Sequence, residues 1–248
     1  METHSSIDKA KAYFDLQFTR IPGDRHVSVG PYITISRESG TGGSALGEEI
    51  ARRLNRLIGI DDPIWTVFDR NLVSRMLEDN HLSTSLARFL PENKVSEIET
   101  TVNEIVGLHP SIWTLVNQTN SLMRHLAAMG SAIIIGRGGN LATASSPHGL
   151  HLRLIAPVEQ RGQRTANILG IPHDQALAYN RKTDHARRDY VRSFFNAEID
   201  DTSSYDLIVN MEHFSIETAA DMVVAILRSR GWVEKQAQAR SELAASAA

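Results

Sequence analysis

From Tyr32 the chain runs through a short apolar, β-branched segment, a loop holding three glycines and then a helical period, and that order restricts the fold more than any other feature. Ile33-Thr34-Ile35-Ser36 reads as a buried strand. Arg37-Glu38-Ser39-Gly40-Thr41-Gly42-Gly43-Ser44 follows, and Ala45 to Leu54 then carries apolar residues at helical spacing. Glycines let a backbone turn with positive φ and approach a phosphate closely, while the free amides of the next helical turn and the helix dipole favour an anion. The segment predicts a phosphate cradle formed by Ser39, Gly40, Thr41, Gly42, Gly43 and Ser44; the plainer alternative is a βα turn that happens to contain glycines. Laid on the pattern G-x-x-x-x-G-K-[ST], the second glycine falls on Gly42 and the hydroxyl residue, a candidate magnesium ligand, on Ser44. Arg37 stands where the first glycine belongs and Gly43 where the lysine belongs. Loss of that lysine removes a cation that spreads transition-state charge, so another must supply it, and Arg37 is the nearest candidate.

Beyond the loop, short apolar runs alternate with longer helical periods, the mark of a parallel sheet with crossover helices. The expected strands are Tyr32 to Ser36, Ile64 to Phe68, Ala132 to Ile135, Leu150 to Ala156 and Leu207 to Asn210. The stretch from Asn71 to Met129 has helical character and no strand, which predicts a helical insertion beside the strand ends. Val158 to Leu169 and Asp174 to Phe195 read as helices punctuated by Gly170-Ile171-Pro172. Ile21-Pro22-Gly23-Asp24 sets off residues 1–26 as an N-terminal appendage; residues 27–231 form the domain and 232–248 a tail rich in alanine and charge.

The absence of cysteine excludes disulfides, thiolate zinc sites and thiol nucleophiles, and fits a reducing compartment. Twenty-six Lys and Arg against 29 Asp and Glu give a formal charge of -3, with no global pull toward nucleic acid or an anionic membrane. Any anion must be bound locally. The longest apolar run, Met222 to Leu227, is far short of the ~20 residues that span a bilayer. These features predict a cytoplasmic protein with neither nucleic acid nor membrane as partner, and they say nothing of oligomeric state.

The loop from Ile35 to Gly43 is similar to that of the cytidylate-kinase-like proteins, a divergent branch of the P-loop nucleoside monophosphate kinases in which glycine also replaces the lysine. The resemblance covers residues 32–230 and continues at Phe68-Asp69-Arg70-Asn71-Leu72, Ile133-Ile134-Ile135-Gly136-Arg137-Gly138-Gly139, Arg153-Leu154-Ile155-Ala156-Pro157, Asp184 through Phe195 and Tyr205 through Asn210. It implies a P-loop NTPase-type α/β fold: a doubly wound parallel sheet of five strands, a helical insertion at about 71–129 that binds the acceptor nucleotide, and an arginine-rich lid at about 172–200. It also implies ATP and Mg2+ as cofactors, a nucleotide donor, and CMP, dCMP or a related nucleotide as acceptor. Conventional cytidylate kinases end the third strand in Gly-Arg-Asp; here Gly136-Arg137 matches and Gly138 replaces the aspartate. Arg137 remains a candidate for the acceptor phosphate.

Helical spacing from Arg181 to Arg192 brings Asp184, Arg187 or Arg188, and Arg192 toward one face, where guanidinium groups suit phosphate oxygens; the alternative is a solvated, salt-bridged face. The resemblance implies that Arg188 and Arg192 close over the transferred group. Asp69, after the second strand, is a candidate for orienting magnesium or holding an acceptor hydroxyl, or an N-cap for the helix that follows. His148 and His151 lack a third ligand, and Trp65, Trp113 and Trp232 read as packing anchors. Gly43 and Gly138 also admit a second function, a non-catalytic nucleotide sensor with a degenerate P-loop.

Overall fold

The computed structural model describes residues 10–14, 30–58, 65–69, 72, 112–234, 236 and 238. Five strands, β1 (Tyr32–Arg37), β2 (Thr66–Phe68), β3 (Ala132–Ile135), β4 (Gly149–Ile155) and β5 (Leu207–Asn210), form one parallel sheet in the order β2-β3-β1-β4-β5. β1 is central, with Ile33 registered on Ile133 and Leu150 and Ile35 on Ile135 and Leu152. The chain reverses direction across the sheet between β1 and its two neighbours, so a crevice opens at the carboxyl end of β1. The fold is the α/β, doubly wound parallel sheet of five strands expected from the sequence. β4 begins one residue earlier than expected because Gly149 pairs with Tyr32.

Helices α1 (Gly43–Ile58) and α6 (Ile216–Ser229) cover one face. Leu46, Ile50, Ala51 and Leu54 of α1 and Ala219, Ala220, Val223 and Leu227 of α6 pack on Ile33, Ile35, Leu152 and Leu154. Each fully buried Leu or Ile contributes about 1.5–3 kcal/mol, so this layer anchors the strand that feeds the glycine-rich loop. The Ser215 hydroxyl caps α6 by accepting from the Thr218 amide at 3.1 Å.

Helix α2 (Ile112–Met129), the described part of the helical insertion, and the single turn α3 (Gly139–Ala142) lie against the other face. Residues 71 and 73–111 of that insertion, residue Ile64 and the tail beyond 238 fall outside the described residues. Residues 10–14, assigned by sequence to an appendage, are helical and contribute to the core: Ala10, Tyr13 and Phe14 pack with Phe68, Leu122, Met123 and Leu126. The Tyr13 hydroxyl donates to the Gly130 carbonyl at 2.6 Å. Helices α4 (Val158–Leu169) and α5 (His173–Phe195) form a hairpin through Gly170, in the left-handed region at φ +64°, and Pro172. Among the described residues no helix is long and apolar enough to cross a membrane.

Candidate phosphate-binding and arginine site

The loop leaving β1 is shaped by contacts that a glycine alone allows. Gly40 has φ +84°, and a β-carbon there would lie 2.5 Å from the Arg161 carbonyl oxygen and 2.8 Å from Thr165 Oγ1, so α4 presses directly on the loop. The Thr41 hydroxyl, fully buried, closes the turn by donating to the Glu38 carbonyl at 2.8 Å. Gly42 follows with φ +84° and accepts from Leu46 across the first turn of α1. Ser44, on that first turn, is exposed. Among the described residues no group of three His, Asp or Glu is placed to hold a metal ion.

Two carboxylates fix this loop, one its own and one from α5. Glu38 accepts from the Ala156 amide at 3.0 Å and lies 3.4 Å from the Arg161 guanidinium. Asp184 of α5 accepts from the Ser39 amide at 2.7 Å, from Arg161 at 2.7 Å and from Arg187 at 3.3 Å. Arg161 is buried and also donates to the carbonyls of Ala156 and Ser39, each at 3.0 Å. A buried charge is tolerated when its donors are used, and here they tie loop, α4 and α5 into one unit. The signal in the sequence for Arg161 was its place beside Gly162, Thr165 and Ala166, small residues on the buried stripe of α4.

Arg37 carries the feature that most distinguishes the site. An ideal β-carbon on Gly43 would meet Arg37 Cγ at 3.1 Å and Cδ at 3.4 Å, so the stem of Arg37 fills the space beside the position where the sequence pattern places a lysine. Its guanidinium reaches Gly136, just after β3, where a β-carbon would clash with Nη1. Burial, with Arg187 and Arg137 as like charges against Asp69 and Asp184, pulls Arg37 far below the usual guanidinium range to about 9, leaving it cationic at neutral pH. Arg187 donates to the Arg37 carbonyl at 3.0 Å and is itself lowered by burial, with Asp184 acting in the opposite direction. Arg137, at φ 58° after β3, lies 5.7 Å from the Tyr190 ring centroid. Cations thus converge between the ends of β1 and β3 and the face of α5.

The other sequence candidates are more dispersed. Arg188 turns toward Asp200 at 3.5 Å. Arg192, 62% exposed, pairs with Glu198 at 3.0 Å, away from the loop. Asp69 accepts from the Leu72 amide at 2.9 Å, the N-cap alternative, while remaining close enough to Arg37 to favour its charge. Trp65 is 2% exposed and donates to Gln236 at 3.1 Å, whereas Trp113 is 60% exposed and edge-on to Phe194 at 5.1 Å. His151 shares a 2.8 Å hydrogen bond with Thr34.

Gly138, the departure from Gly-Arg-Asp, has a steric cause: its β-carbon would lie 2.5 Å from Phe195 Cε2 at the end of α5. Gly138→Asp is expected to cost about 1–3 kcal/mol by overpacking. Chemical denaturation is expected to give a smaller loss for Gly138→Asp in a Phe195→Ala background than in the wild type, and equal losses would refute the steric account.

A family model described as the cytidylate kinase-like family matches residues 32–213. An uncharacterized protein from Eubacterium ventriosum has a crystal structure that superposes with TM-score 0.58 at 17% identity, covering 80% of this chain and 98% of that one. A shikimate kinase from Bacteroides thetaiotaomicron aligns over the same shares with TM-score 0.46 at 13% identity. No curated protein matches the sequence.

Proposed function

Because the chain belongs to the cytidylate kinase-like family, we propose that it transfers the γ-phosphoryl group of ATP to CMP, dCMP or a related small acceptor. The observation that carries this reading is the packing of the Arg37 stem against Gly43, with its guanidinium among Arg137 and Arg187 at the mouth of the glycine-rich loop. The charge absent from position 43 is supplied from position 37. A protein that merely retained the fold would have no need to keep that cation there at an electrostatic cost.

In this proposal the amides from Gly40 to Ser44 receive the donor phosphates, aided by the dipole of the sixteen-residue α1. Ser44, exposed on the first turn, fits a magnesium ligand. When bound, Mg2+ neutralises charge on the donor phosphates. Arg137 holds the acceptor phosphate. An acceptor oxygen attacks the γ-phosphorus in line as the bond to the bridging β–γ oxygen breaks, and that oxygen leaves on ADP. Negative charge accumulating on the transferred oxygens faces Arg37 and Arg187, while Arg188 and Arg192 are turned to Asp200 and Glu198. Asp69 caps the residues after β2 and offsets part of the repulsion on Arg37. The domain so described spans 27–231, with the lid at 172–200.

The test is diphosphate formation from ATP, Mg2+ and each of CMP, dCMP, UMP, AMP and GMP, with Arg187→Ala as control. Turnover of a pyrimidine monophosphate that falls at least tenfold in the control is expected. If ATP binds by calorimetry but none of the five turns over, the nucleotide-sensor reading replaces this one.

A further inference from the structure

We infer that Arg153, Arg188 and Ser36 form a second oxyanion site, separate from the glycine-rich loop, and that Asp200 fills it as a stand-in anion in the free chain. Strands in the middle of a doubly wound parallel sheet are normally apolar on both faces. Here β1 and β4 present Thr34, Ser36, His151 and Arg153 on the face opposite α1 and α6, in the registered pairs Thr34 with His151 and Ser36 with Arg153. Thr34 and His151 bond to each other. Among the described residues Arg153, whose side chain is 6% exposed, finds only the Ser36 hydroxyl at 2.9 Å within the sheet and takes its counter-ion, Asp200 at 2.5 Å, from the loop after α5.

That counter-ion differs from the structural one nearby. Asp184 is 12% exposed and receives a backbone amide and two guanidinium groups. Asp200 is 60% exposed and is shared by Arg153 and, at 3.5 Å, Arg188. Two guanidinium groups on one exposed carboxylate leave one positive charge uncompensated, and Arg187 lies near enough for Arg153 to repel it. The Tyr205 ring, 5.9 Å from the Arg153 guanidinium, walls the site, with its hydroxyl held by the Ile199 carbonyl at 2.8 Å and 3.2 Å from Ser36. A phosphate dianion balances both arginines, and guanidinium groups donate to its oxygens in the geometry they use for carboxylates. The ligand class is therefore phosphate or a phosphomonoester. The inference does not depend on the chain being a phosphotransferase.

The test compares the melting temperatures of the full-length wild type and Asp200→Asn, with Asp200→Ser repeating the comparison should the asparagine variant not fold. In phosphate-free buffer the variant is expected to melt lower, because Arg153 is left without its counter-ion. Adding orthophosphate at constant ionic strength is expected to raise its midpoint by about 3 °C more than that of the wild type. Phosphate at the glycine-rich loop is common to both chains and cancels in the difference. Arg153→Met in the Asp200→Asn background is expected to abolish the excess. A larger excess with ribose 5-phosphate would identify a phosphomonoester as the occupant, and a smaller one the free anion; either supports the site. Equal shifts in the two chains, or an excess that survives Arg153→Met, overturn it.

Discussion

Arg37→Met is expected to lower kcat for phosphoryl transfer by on the order of 10²–10³ while leaving the ligand-free chain as stable as before or more so. The two effects have opposite signs for one physical reason. The folded chain depresses Arg37 to about 9, well below its unfolded value, so between the two the unfolded chain binds more protons and stability rises with pH. At neutral pH the charge is therefore a net cost to the fold, relieved only above about 9. Methionine keeps the stem that packs on Gly43 and removes that cost. With donor phosphates present, the same charge becomes favourable. Arg37→Gly combined with Gly43→Lys is expected to recover part of the lost rate, since it returns the cation to its usual position. A fall in melting temperature parallel to the fall in kcat would mean that Arg37 is structural, and would sink the argument.

Gly40→Ala is expected to destabilise the chain by about 2–6 kcal/mol and to abolish measurable ATP binding. A side chain at φ +84° costs about 1–3 kcal/mol, and a β-carbon 2.5 Å from a buried backbone oxygen adds about 1–3 more by overpacking. The Arg161 carbonyl cannot move away easily, because the Arg161 side chain is fixed to Asp184 and to the carbonyls of Ala156 and Ser39. Urea unfolding and calorimetry read the two effects separately. A loss under 1 kcal/mol would show that the contact between loop and α4 yields readily.

The strands were legible because β-branched, apolar runs flanked by turn residues have little else to become. The loop was legible because strand, glycines and helix occur in the order a phosphate cradle requires. The orientation of α5 was not. Helical spacing joins Asp184 to Arg188 and Arg192 as readily as to Arg187, and packing of the helix decides between them. Ala176, Asn180 and Val191 are the buried residues of α5, so the inward stripe passes through Arg187, leaving Arg192 on the outside with Glu198. Arg153, a charge inside an apolar strand, demands a partner, but that partner lies 47 residues away in a loop that sequence spacing cannot place.

Residues 10–14 have a consequence for synthesis. Tyr13 bonds to a carbonyl 117 positions further along the chain, and Phe14 packs on residues that α2 supplies later still than β2. As translation proceeds from the amino end, this aromatic pair leaves the ribosome well before the surface that shelters it exists. Contacts so distant in sequence form late, and apolar groups that wait for them are exposed to the wrong partners meanwhile. This segment is thus made before the surface it joins and is secured late, and a chaperone that holds it during elongation would have the most to act upon.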